Sequence, residues 1–180
     1  MSDALRALRL ALITALALPG VATGQTCSAP IPAGSCTATT STTLTIGSVM
    51  QLALSSTTTT LAAPSIADYD AGYVADNGPA ATVKSNRAWR LQISAAAPTW
   101  SAVNTQPGVA ARPNKPASDL QWSTAPGGPF AGLATTAVNA TTGGATAGRT
   151  ATLYYHTVYS WVADTPGAYS LTVVFTLIAP

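Results

Sequence analysis

Few side chains in this sequence are equipped for chemistry. Its 180 residues include a single histidine, His156, and six acids, all of them aspartate. A Ser–His–Asp relay would have to use His156, which alternates with tyrosines in a strand-like run, and no Gly-x-Ser-x-Gly elbow is present to expose a nucleophile. A glycosidase needs two carboxylates facing each other across a cleft; without glutamate, the few aspartates would have to supply both. The densest acid group is Asp68, Asp70 and Asp76. Three carboxylates so close together can gather Ca2+, which prefers oxygen ligands from a turn. The run lacks the closing Glu of an EF-hand loop, and the favoured expectation is a surface loop whose aspartates cap turns. No catalytic residue, cofactor or resident metal is assigned, and the chain is read as non-enzymatic.

Composition narrows the partners. Only 8% of residues are charged, about a third of the usual share for a soluble domain. A formal charge of +2 is too small to imply a nucleic-acid partner. Lys84, Arg87, Arg90, Arg112 and Lys115 are the material for a basic patch toward an anionic polymer, although scattered basic residues usually serve solvation. Scarce lysine and absent glutamate, the usual coating of exposed helix faces, argue against a helical bundle.

The N-terminus reads as an address. Arg6 and Arg9 precede the apolar run Leu10–Leu18, Pro19 and Gly20 break it, and Ala22-Thr23-Gly24 offers the small residues a signal peptidase reads. Residues 1–24 are therefore expected to be a cleaved leader, and the apolar run is far short of the roughly 20 residues that cross a bilayer. No later segment is long and apolar enough to be a transmembrane helix. Export into an oxidising compartment makes Cys27 and Cys36, nine positions apart, a disulfide staple. The expected organisation is leader 1–24, stapled segment 25–41 and one folded domain over 42–180.

That domain must be built of strands. Trp89, Leu91 and Ile93 alternate with Arg90 and Gln92, the period of a half-buried strand. Leu153, Tyr155, Tyr159 and Trp161 fall on one face of Thr152–Val162, and Tyr169 to Leu177 alternates again after Asp164-Thr165-Pro166-Gly167. The spacing predicts a β-hairpin whose second strand, apolar on both faces near its end, sits centrally in a sheet. The whole pattern predicts an all-β, antiparallel β-sandwich, Ig-like or pilin-like, of roughly seven to nine strands. Most of the large aromatics must fill its core, and Trp100 and Tyr73, in loop-like context, are the expected exposed ones.

Two short stretches carry a resemblance. Trp89-Arg90-Leu91-Gln92-Ile93, and the run from Pro166-Gly167-Ala168-Tyr169 through Phe175-Thr176-Leu177 to Ala179-Pro180, resemble the paired Trp-x-Leu motifs of the WxL family of bacterial cell-surface proteins. Phe175 stands where that family has its second Trp. The resemblance implies a β-sandwich that attaches non-covalently to cell wall, with Trp89, Leu91, Phe175 and Leu177 as the motif residues that either bind or pack. The expected function is a secreted, envelope-associated binding or structural module, its partner a cell-wall polymer or another surface protein. The alternatives are a fimbrial subunit that donates Thr37–Ile46 as a strand to its neighbour, and a carbohydrate-binding module.

Overall fold

Alternation of apolar and polar side chains sets nearly every element. In the computed structural model residues 27–28 and 34–180 are described, and the chain divides into two units, Met1–Thr45 and Ile46–Pro180. The expected leader lies outside the described residues. In the first unit Cys27 and Cys36 are paired, with Cα atoms 5.7 Å apart. Residues 34–45 are exposed and carry no helix or strand, and the candidate donor strand 37–46 joins no sheet.

The second unit is all-β and antiparallel, as the alternation predicts. In chain order it runs β1 (Met50–Leu54), α1 (Ile66–Ala71), β2 (Tyr73–Ser85), β3 (Trp89–Ala95) and β4 (Ser101–Val103). A single 3-10 turn, Ala117–Asp119, leads into β5 (Leu120–Ser123), β6 (Ala131–Gly132) and β7 (Val138–Gly143). The chain closes with β8 (Thr146–Val158), β9 (Ala168–Ser170) and β10 (Val173–Ile178). One sheet has the order β1-β2-β8-β5-β6, a second β10-β3-β7, and β4 pairs with β9 in a small third. The ten strands exceed the expected seven to nine because several are only two or three residues long.

Both larger sheets contribute to one buried cluster. Ala81, Val83, Leu120, Leu153 and Tyr155 come from the first, and Trp89, Leu91, Ile93 and Ala95 from the second. Trp89 is 1% exposed and its indole N–H donates to Gly144 O at 2.8 Å. The glycine at 143 is required here: a Cβ on it would come within 2.7 Å of the Trp89 ring, inside any real contact.

Three expectations are corrected. β8 and β10 are not a hairpin: β8 pairs with β2 and β5, whereas β10 pairs with β3. The turn at 164–167 hands the chain from one sheet to the other, by way of β9. β10 is therefore an edge strand, and Val174 and Thr176 on its outer face are exposed. Finally, Asp76 and Asn77 lie within the long strand β2 rather than in a surface loop. Gly78 and Pro79 look like turn chemistry, but a register shift between Asn77 and Ala80 absorbs them while pairing with β8 continues.

Candidate functional site

The residues singled out for chemistry are dispersed. Asp68 closes a capping box at the start of α1, its carboxylate accepting the Ser65 N–H at 2.8 Å; bonds from the Ser65 hydroxyl and then its backbone lower the Asp68 pKa. Asp70 accepts the Trp161 indole N–H at 3.0 Å. Asp76 accepts the Ala62 N–H at 3.1 Å. Each aspartate thus serves a different neighbour, and among the described residues no group of three or more His, Cys, Asp or Glu is placed to hold a metal ion. His156 is stacked between Phe130 at 3.6 Å and Tyr73 at 4.3 Å, centroid to centroid, and burial lowers its pKa.

The two Trp-x-Leu-like stretches do come together. β10 pairs with β3 so that Phe175 stands opposite Ile93 and Leu177 opposite Leu91. Trp89 and Leu91 are sealed in the core, while Phe175 and Leu177 are half-buried against it. At this edge the motif residues pack.

Beside Phe175 the two sheets part around a cleft of about 1070 Å3. Tyr155 and Thr157 line one wall, Val173 and Phe175 the other, and the strandless run Thr57–Thr60 forms a hydroxyl-rich rim. Thr157 is 2% exposed, and its hydroxyl oxygen has no hydrogen-bond partner among the described residues. A buried hydroxyl left without a partner is costly, and the lining around it mixes apolar side chains such as Trp100 and Phe175 with polar ones such as Tyr159 and Asp164.

One end of the cleft is held by a four-residue ion network. Asp164 Oδ1 accepts from Lys115 Nζ and from Arg112, both at 3.0 Å, and Asp119 lies 3.2 Å from Lys115 and 3.4 Å from Arg112. Lys115 spends its third proton on Val158 O at 2.8 Å. Two positive and two negative charges balance, and each lysine proton has an acceptor, which is what makes such burial tolerable. Arg112 and Lys115 are thereby removed from any basic patch.

The network fixes a turn. The second Asp164 oxygen accepts Ser160 N–H at 2.8 Å, and Asp164 N–H returns to Ser160 O at 3.0 Å. The Tyr169 hydroxyl accepts Arg112 N–H and donates to Thr165 O at 2.6 Å, securing the far side. This tight turn carries Trp161 out of line with β8. Trp161 is 58% exposed, and its indole stacks on Tyr69 of α1 with centroids 4.5 Å apart. Tyr69 in turn leans on Tyr159, whose ring lies under Lys115 Nζ at 4.9 Å, and Tyr159 N–H donates to Gly72 O, tying β8 to the helix. Burial first, and then the surrounding aspartates and Tyr69, push the Tyr159 phenol up to about 12, so it stays protonated.

The expected exposed aromatics are therefore only partly right. Tyr73 is 43% exposed, but Trp100 is buried at 6%, its N–H donating to Pro116 O. Trp161, placed by alternation on one face with Leu153, Tyr155 and Tyr159, also reaches solvent. The available signal was Asp164, three residues on, which can bond back to residue 160 and end a strand. No helix among the described residues is long and apolar enough to cross a membrane. No protein-family model and no curated protein matches this chain.

Proposed function

We propose that the chain is an exported module of the cell envelope that binds, without catalysis, a cell-wall polymer or a neighbouring surface protein. The observation that carries this reading is the cleft: an open trough between two sheets whose lining mixes apolar side chains with threonine hydroxyls. An extended polymer suits such a trough better than a compact substrate, because its length covers the walls while its polar groups meet the rim. The disulfide staple and the low charge fit an oxidising, protease-exposed setting.

The test is sedimentation with isolated bacterial cell walls. The protein is expected in the pellet, and introducing Thr57→Glu together with Thr59→Glu should reduce the bound fraction several-fold. Both threonines are exposed, so folding is spared, and a thermal melt checks that. A protein that stays in the supernatant, or a double variant that sediments like the parent, counts against the cleft as the binding element.

A further inference from the structure

We infer that the Trp161 turn is a glycan-stacking platform, which takes the apolar face of a neutral pyranose ring in a polysaccharide. The inference rests on the binding reading above and gives it a ligand class and a second contact.

Three features of the turn select this chemistry. The indole N–H is already satisfied by Asp70, and one indole face is covered by Tyr69, so the ring is held rigid with its other face turned to solvent. A flat, immobile aromatic surface loses little entropy on binding and offers the dispersion contact that the C–H face of a sugar seeks. Beside it stands a group suited to sugar hydroxyls, the exposed Asp70 carboxylate.

The same geometry argues against a cationic guest. An ammonium group binds where several ring faces converge, but here Tyr69 faces Trp161 and Tyr159 already lies under Lys115. The investment in buried charge beneath the turn is consistent with a surface whose geometry matters: the ion network orders Ser160–Asp164, and with it the ring.

Chitin and cellulose beads, both neutral pyranose polymers, are the probes. Retention of the protein on at least one is expected, with Trp161→Ala about tenfold weaker and Trp161→Phe intermediate. Because Trp161 is mostly exposed, the alanine variant should melt as the parent does, and its melt is recorded alongside. Failure of the parent to bind either bead, or equal binding by the alanine variant, overturns the platform. Isolated cell walls separate the two readings. Equal sedimentation of the parent and Trp161→Ala with walls would leave the cleft standing without the platform. Retention on beads that depends on Trp161, with no sedimentation on walls, would leave the platform standing and remove the wall.

Discussion

Asp164→Ala should lower the unfolding free energy by about 3 kcal/mol, because removing one partner of a buried pair leaves the other charges uncompensated. For a domain of this size that corresponds to a fall in Tm of about 10 °C. Lys115 is almost wholly buried and would keep only Asp119 and a carbonyl as acceptors, while Ser160 would lose the bond that ends β8. Combining Asp164→Ala with Lys115→Met should cost less than the sum of the single changes, since the stranded ammonium goes with its partner. Thermal melts of the four proteins read this directly, and additive effects would mean that the two residues do not act as a pair.

The same carboxylate gives the stability an acid limit. Burial pushes the Asp164 pKa up, but hydrogen bonds from Lys115 and Arg112, the Lys115 charge and the Ser160 N–H together outweigh it, and the net shift is downward. A carboxyl whose folded pKa lies below its unfolded value contributes fully above the unfolded value, about 3.9, and loses that contribution as pH falls through the folded one. Tm should therefore drop below about pH 4 in the parent, and more shallowly in Asp164→Ala. Parallel curves for the two would remove Asp164 as the titrating group.

Trp89→Ala should be the most damaging single core change, costing about 3–5 kcal/mol in urea unfolding. The side chain is sealed between sheets, its N–H bond to Gly144 would be lost, and the glycine at 143 is fitted to the ring. Trp89→Phe should recover part of the loss by keeping an aromatic ring in the space. If Trp89 instead made the wall contact that the family resemblance suggests, binding would fall with stability intact. A cost under about 1 kcal/mol in the alanine variant would favour that role over packing.

The residues explain why the sequence disclosed the sheets more readily than the surface. β3 is legible because Trp89, Leu91, Ile93 and Ala95 alternate without interruption, and each is buried. β2 is not, because Asp76-Asn77-Gly78-Pro79 mimics a turn and only pairing with β8 on both sides of the Gly78-Pro79 irregularity overrides it. The hairpin between β8 and β10 fails for the opposite reason. Asp164 to Gly167 is good turn chemistry, but local sequence does not say which sheet receives the chain, and β3 is a long-range choice. The exposure of Trp161 is not legible because the apolar alternation runs on past Val158, while the strand is ended by contacts from residues 112, 115 and 119. The platform is a tertiary product, so no local pattern announces it.

Hydrogen–deuterium exchange of the protein with and without isolated cell walls tests the central claim, that the cleft and its adjoining turn are the binding surface. Slowed exchange at residues 56–64 and 159–171 in the presence of walls is the expected result. Protection confined to residues 37–46 and to β10, in a protein that runs as a ladder of oligomers, would contradict it and make the chain a subunit joined by strand exchange.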